Sequence, residues 1–213
     1  MDSGKLAAAR EEYTRGGLTE SDLLPDPFDM FTRWYDEAAA AGIHEPNAMV
    51  VATASPTGRP AARFVLLKGM SSAGFVFFTN LASAKGHDLA ENPQCSLLFP
   101  WHPLERQVRV EGTASLLPRA DVDDYFASRP RRSRVGAWAS HQSEVVSGRA
   151  ELDASIAAVE ERFPDEVPVP DFWGGYLVEP SSLEFWQGRP GRMHDRLVYA
   201  RLDEGWSTYR LAP

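Results

Sequence analysis

The chain has a single cysteine, Cys95, among 213 residues. That count excludes an intrachain disulfide and any metal cage built from several thiolates. Cys95 stands in the apolar run QCSLLF, where a small buried hydrophobe is the expected role. Long hydrophobic runs are missing too, so no segment reads as a membrane span. The opening stretch MDSGKLAAAREEYTRGG has no apolar core of a secretory signal, and a cytoplasmic protein is the expectation. Net positive charge is also absent. There are 22 Lys and Arg against 30 Asp and Glu, a formal net charge of -8, which repels nucleic acid and anionic membranes at long range. An anion could be held only by positive charge gathered locally.

Several catalytic signatures are missing. No G-x-G-x-x-G follows a strand-like run and no G-x-x-x-x-G-K-[ST] occurs, which leaves a dinucleotide fold unsupported and excludes a P-loop. The histidines stand at 44, 87, 102, 141 and 194, without ligand spacing, so no metal is expected. Neither G-x-S-x-G nor a Cys-His nucleophile setting appears. The chemistry is left to a bound organic cofactor.

What is present is the composition of a soluble globular protein, 43% hydrophobic and 24% charged. With no long polar linker, 1–213 reads as one domain. DPFDMFTRWYDEAAAAG predicts a helix, opened by the Asp26-Pro27 cap and ended by Gly42. AMVVATAS, ARFVLLKG, GFVFFTN, CSLLFPW and RQVRVEGTASLL predict strands, with a short helix at SAKGHDLAEN. Helices are expected at PRADVDDYFASR, PRRSRVGAWASHQS and RAELDASIAAVEERF. WGGYLVEP, SLEFWQG, RLVYARLD and GWSTYRLAP predict closing antiparallel strands joined by short turns. Strands without regular helix alternation argue against a doubly wound sheet. The expected fold is mainly β with peripheral helices (α+β), an antiparallel barrel, closed or partly closed.

The basic residues gather at a few places. In RPGRMHDRL, an extended chain would send Arg192, His194 and Arg196 to one face, a set suited to a phosphate and a polar ring. The alternative is a solvated hairpin whose arginines pair with acidic neighbours. In ARFVLLKG, Arg63 and Lys68 differ in parity, so a regular strand would part them. A bulge, a strand-end turn or two separate sites are all open. In DDYFASRPRRSRVGAW, Tyr125 and Arg129 share a helical face. Pro130 then breaks that helix and starts another, with Ser133 in a first turn whose free N–H groups favour an anion. Four arginines in six residues raise RNA binding as a rival, opposed by the net acidity. Gln142 and Ser143 in SHQSE offer neutral donors.

Taken in order, REEYTRGGL, EPNAMVVAT, RFVLLKG, FFTNLASAKG, SLLFPWHPLERQVRVEG, YFASRPRRSRVGAWASHQS, FWGGY, EFWQG and RMHDRLVY…RLAP resemble the pyridoxine (pyridoxamine) 5′-phosphate oxidase family. The resemblance runs from about Arg10 to Pro213. It implies a Greek-key split β-barrel that binds flavin mononucleotide (FMN), and a homodimer with the cofactor at the subunit interface; the net acidity already argues for no nucleic-acid or membrane partner. By the same resemblance FMN meets Arg63, Phe64, Val65, Leu66, Leu67 and Lys68, then Phe78, Thr79 and Lys85. Gln107, Gln142, Ser143, Trp186 and Arg196 complete the cofactor set. The substrate phosphate meets Lys68, Tyr125, Arg129 and Ser133, with the catalytic pair Arg192 and His194 beside its ring. Arg10 and Tyr13 match a mobile N-terminal segment, residues 1–24, that covers the site.

The implied reaction is oxidation of pyridoxamine or pyridoxine 5′-phosphate to pyridoxal 5′-phosphate by hydride transfer to FMN, with O2 reduced to H2O2. Two phosphorylated molecules in one cleft, each with roughly two negative charges, account for the clustered arginines of an acidic chain. One departure stands out: Ala84-Lys85 replaces the Arg-Lys pair common in the family, and loss of that donor weakens FMN binding by about 1.5–3 kcal/mol unless another substitutes. Glu45 replaces a common aspartate. The alternatives are another split-barrel flavin oxidase or reductase, of the phenazine-pathway type, and a non-catalytic protein that binds FMN or pyridoxal phosphate.

Overall fold

The computed structural model describes residues 12–213; Arg10 lies outside them. The chain divides into two compact units. One comprises Met1–Met49, Leu97–Glu111 and Pro180–Pro213, the other Val50–Ser96 and Gly112–Glu179. Strands β5 (Gln94–Phe99), β6 (Arg106–Leu116) and β7 (Trp173–Gln187) each contribute residues to both.

In the first unit, helix α1 (Pro27–Ala40) forms where its ends dictate. The Asp26 carboxylate accepts the Phe28 N–H at 2.8 Å, and Pro27 occupies the first turn, where its missing N–H leaves nothing unpaired. Gly42, at φ 74, lets its own N–H and that of Ile43 reach back to the Ala39 and Ala38 carbonyls. The helix buries Phe28, Met30, Phe31, Trp34 and Ala38. Phe31 packs on Phe99 and Trp101 with ring centroids 4.7 and 5.6 Å apart, and Trp34 on Phe185 at 5.2 Å. β8 (Asp195–Arg201) and β9 (Trp206–Arg210) continue this unit.

The second unit holds most of β1 (Ala48–Ala54), then β2 (Pro60–Leu66), β3 (Gly69–Ser71) and β4 (Gly74–Asn80). Its helices are α2 (Ala84–Glu91), α3 (Arg119–Ser128), α4 (Arg131–Ala139) and α5 (Arg149–Arg162). Strand order is β2-β1-β5-β6-β7-β4-β3, with β8 pairing β7 and β9. The β3–β4, β4–β7, β7–β8 and β8–β9 pairs are antiparallel. Cys95 is buried, as expected, and burial pushes its thiol up to about 12. Among the described residues no helix is long and apolar enough to cross a membrane.

Two expected elements differ. WGGYLVEP and SLEFWQG are one strand, β7, rather than two joined by a turn. It pairs β4 along Trp173–Val178 and β8 along Ser182–Gln187, and Pro180, which has no N–H to give, sits between those pairings. ARFVLLKG, in contrast, is not one strand. β2 stops at Leu66, and Lys68 donates its N–H to the Val76 carbonyl at 2.8 Å before β3 begins.

Candidate active site

A cavity of about 490 Å³ opens in the second unit, a size suited to a small organic molecule. Its lining includes Phe64, Val65, Leu66 and Lys68, then Phe78, Thr79 and Lys85, and Tyr125, Arg129, Ser133 and Gln142. The break after Leu66 resolves the parity of Arg63 and Lys68. Lys68 faces the cavity, whereas Arg63 turns to Thr53 Oγ1, at 2.7 Å from its Nη1. Arg63, Leu67 and Ser143 are not part of the lining.

Lys85 carries the unusual charge. Its side chain is buried, and Nζ donates to Thr79 Oγ1 at 2.9 Å, Ser83 Oγ at 3.0 Å and Gln142 Oε1 at 2.7 Å. All three acceptors are neutral, and among the described residues no carboxylate pairs with it. Burial, with a smaller push from the Arg63 guanidinium, lowers its pKa to about 8. The α2 N-terminus beside it is assembled from two loops: Ser83 Oγ accepts the Gly86 N–H, and Ser143 Oγ accepts the Ala84 N–H at 3.1 Å. At Ala84 the backbone N–H is thus taken up by Ser143, and the methyl side chain offers no donor where an Arg-Lys pair would offer a guanidinium.

A second unneutralised cation, Arg129, lines the same cavity. Helix α3 ends at Ser128, and Arg129 and Pro130 are extended, at ψ 145 and 141. α4 then begins, with Ser133 in its first turn, as the sequence predicts. The Arg129 guanidinium lies 4.7 Å from the Trp173 ring centroid, and its Nη1 is buried without a hydrogen-bond partner. Burial lowers the Arg129 pKa and raises that of Tyr125. Tyr125 stacks on Phe78 at 3.8 Å, and Phe78 on Trp173 at 5.5 Å. Gly175 makes room for this column, since a Cβ there would stand 2.7 Å from Phe78 Cδ1.

Gln107, Trp186, Arg192, His194, Arg196 and Tyr13 belong to the first unit. Trp186 and His194 have ring centroids 4.7 Å apart, and Tyr13 sits edge-on to both, at 5.9 and 5.5 Å. His194 Nδ1 accepts the Arg189 N–H at 3.1 Å, so the proton of the neutral ring is on Nε2. Gln107 is half-buried on β6.

The single extended face expected for Arg192, His194 and Arg196 is not observed. Residues Pro190–Arg192 form a 3₁₀ turn, Arg192 has φ 62, and β8 starts only at Asp195. Strand alternation therefore does not govern 192–194. Part of the ion-pairing alternative holds instead. Arg196 makes a two-pronged contact with the buried Glu184 carboxylate, Nε to Oε1 at 3.0 Å and Nη2 to Oε2 at 2.9 Å, and Arg189 Nε lies 3.0 Å from Asp195 Oδ2. Arg192 is exposed and makes no side-chain hydrogen bond among the described residues.

The chain as a whole has counterparts among known proteins. A family profile described as Pyridoxamine 5'-phosphate oxidase matches residues 35–163, and one described as Pyridoxine 5'-phosphate oxidase C-terminal dimerisation region matches 173–213. The chain belongs to the pyridoxamine 5′-phosphate oxidase family. A curated relative from Nocardioides sp., named pyridoxine/pyridoxamine 5'-phosphate oxidase, is 66% identical over 98% of each chain. The crystal structure of PhzG from Burkholderia lata 383, in complex with tetrahydrophenazine-1-carboxylic acid, aligns with TM-score 0.87 and 30% identity over 94% of this chain and all of that one. A pyridoxamine 5'-phosphate oxidase-related, FMN-binding protein from Nostoc punctiforme shares the fold, with TM-score 0.73 and 17% identity over 90% of this chain. The fold is thus the family's split barrel, mainly β with peripheral helices, as expected.

Some residues of this oxidase-family cavity escaped the sequence. Trp173 is in the FWGGY stretch yet had no assigned part, although its ring carries Arg129 and Phe78. Asn80, Ala137 and Ser140 also line the cavity. Glu184 was missed because its link to Arg196 crosses two paired strands. For Trp173 the signal was the adjacent glycine pair, which marks close side-chain approach.

Proposed function

We propose that this family member is an FMN-dependent oxidase that converts pyridoxamine 5′-phosphate or pyridoxine 5′-phosphate to pyridoxal 5′-phosphate. The observation that carries this reading is the pair of unneutralised cations at one cavity, the buried Lys85 ammonium and Arg129 with its orphaned Nη1. A buried charge without a counter-ion is costly, and two phosphate groups would relieve it at both places. The donor set therefore fits a phosphorylated flavin and a phosphorylated substrate.

Arg63, Lys85, Gln142 and Ser143 would hold the cofactor phosphate, and the chain from Phe64 to Lys68, with Phe78 and Thr79, would meet the rest of FMN. Gln107, Trp186 and Arg196 would complete the cofactor set in a homodimer with FMN at the subunit interface. The family's C-terminal dimerisation region in this chain supports that assembly. Lys68, Tyr125, Arg129 and Ser133 would anchor the substrate phosphate, a proximity effect that fixes the reacting carbon. Arg192 would stabilise charge over the substrate ring, and His194 would donate from Nε2 to a ring substituent. When bound, FMN would supply two-electron redox chemistry for oxidation at the carbon that bears the amine or alcohol, with O2 as the final electron acceptor. The balance is amine, O2 and water to aldehyde, ammonia and H2O2; the alcohol needs no water.

A second reading, an oxidase of the phenazine-pathway type, is favoured by the 30% identity to PhzG. The 66% identical relative named for vitamin B6 substrates supports the first. The deciding experiment is the spectrum of the purified protein before and after anaerobic pyridoxamine 5′-phosphate. Bleaching of a flavin band, with pyridoxal phosphate formed, supports the proposal. A flavin band left intact refutes it, and bleaching only by a dihydrophenazine acid supports the rival.

A further inference from the structure

Glu105 has no part in the cofactor or substrate sets, yet its conformation is unusual. It closes a 3₁₀ turn, His102–Leu104, in the left-handed region at φ 54, where a side chain other than glycine or asparagine is strained. From there both carboxylate oxygens are used on successive backbone amides of a segment about ninety residues away in sequence. The Thr14 N–H reaches Oε1 at 3.1 Å, and the Arg15 N–H reaches Oε2 at 3.0 Å. The Glu105 carbonyl meanwhile accepts the Gly188 N–H at 2.7 Å. One residue thus joins the N-terminal segment to the turn after β7.

We infer that Glu105 is a positioning residue, a latch that seats Tyr13 against Trp186 and His194. Thr14 directly follows Tyr13, so pinning its amide sets where the ring lies. The seat is shaped for it, because a Cβ on Gly188 would stand 2.9 Å from the Tyr13 ring. On the far side of the latch, the Leu18 N–H donates to Asp195 Oδ2 at 2.9 Å, and Asp195 is held in turn by Arg189 and Arg210. That second anchor does not depend on Glu105. Loss of the Glu105 carboxylate therefore leaves residues 12–16 held only by the Tyr13 ring contacts and by the Gly191 N–H that Glu12 Oε1 accepts at 3.3 Å, while the chain from Leu18 onward stays attached.

Glu105→Gly is the suitable variant. Glycine adopts the left-handed turn freely, so the carboxylate is removed without straining the backbone. In the full chain with FMN added, trypsin cleavage at Arg15 should accelerate about tenfold, the loss expected from two charge-assisted hydrogen bonds at a partly exposed site. Glu105→Gln, which keeps an acceptor oxygen, should lie between the variant and the parent. Cleavage of Glu105→Gly at the parent rate, with an unchanged melting midpoint, overturns the latch.

The kinetic arm rests on the proposed function. With pyridoxamine 5′-phosphate, Glu105→Gly and Tyr13→Ala should each raise KM, and the double variant should be no worse than Tyr13→Ala alone, since Glu105 acts through Tyr13. Additive effects on KM overturn the positioning role. Faster cleavage in a protein that does not turn over the substrate upholds the latch and counts against the oxidase reading.

Discussion

Lys85 Nζ lies 2.7 Å from Gln142 Oε1, so a buried ammonium is met by a neutral amide instead of a carboxylate. The pKa of about 8 shows the consequence: without an anion, burial works against the charged form. An incoming phosphate would reverse that balance and select protonated Lys85. With the phosphate dianionic above pH about 7, FMN affinity should therefore be flat from there to about 8 and weaken as pH rises through about 8. Lys85→Met should weaken binding by about 1.5–3 kcal/mol and remove the pH dependence in a flavin-fluorescence titration. A variant that binds as tightly as the parent contradicts the phosphate role.

Stability of the FMN-free protein gives a separate check on the same residue. The folded pKa of Lys85 is depressed from 10.5 to about 8. The unfolded chain thus binds more protons between those values, and Lys85's contribution to stability is fully present above 10.5 and lost as pH falls through about 8. Denaturant midpoints at pH 7.5 and 9.5 should differ less in Lys85→Met than in the parent, measured with the flavin removed.

Arg129 rests on the Trp173 ring with Nη1 unpartnered. Arg129→Ala should raise KM for pyridoxamine 5′-phosphate by roughly ten- to a hundredfold and lower kcat less, the pattern for lost uniform binding. Lysine should restore little, because an ammonium lacks the planar face that stacks on the indole. A fall in kcat with KM unchanged would move Arg129 from anchoring to chemistry.

Arg192 is exposed and engages no other described side chain, so its removal should leave the fold intact. Arg192→Ala is expected to lower kcat for pyridoxal phosphate formation by roughly a hundredfold, with the melting midpoint unchanged. Turnover equal to the parent would refute the catalytic role proposed for Arg192.

Glu184 is buried between two guanidinium groups, Arg196 at 2.9 Å and Arg109 at 2.8 Å. Glu184→Gln should lower stability by about 1–3 kcal/mol, since it removes the carboxylate that Arg196 pairs with and leaves Arg109 only Glu111, at 3.5 Å, while keeping the shape. The loss should be seen as a lower melting midpoint at low salt. If Arg196 also holds the cofactor, FMN affinity falls with it; a lower midpoint with unchanged affinity would separate the two roles.

Local patterns carried a large part of this architecture. The Asp26-Pro27 cap, Gly42 and the Pro130 break each act within a few residues, and the helices form where those signals stand. β4 and β6 follow for the same reason, their side-chain period being a local property. Errors arose where the outcome depended on partners distant in sequence. β7 runs through Pro180 because two different strands pair with its halves. Arg192 leaves the extended path because a turn intervenes, and Arg196 faces Glu184 because β8 lies beside β7.

By itself the sequence determined the family, the order of elements and the types of side chain available to a site, because these are set by residue identity and short-range spacing. Tertiary structure alone decided which cations stay unneutralised. Arg63, Arg189 and Arg196 found acceptors on neighbouring strands and loops, whereas Lys85 met neutral oxygens and Arg129 an aromatic face. The physical reason is that charge compensation depends on distance in space, and a strand pairing can bring a carboxylate next to one arginine and leave its neighbour in the chain without one.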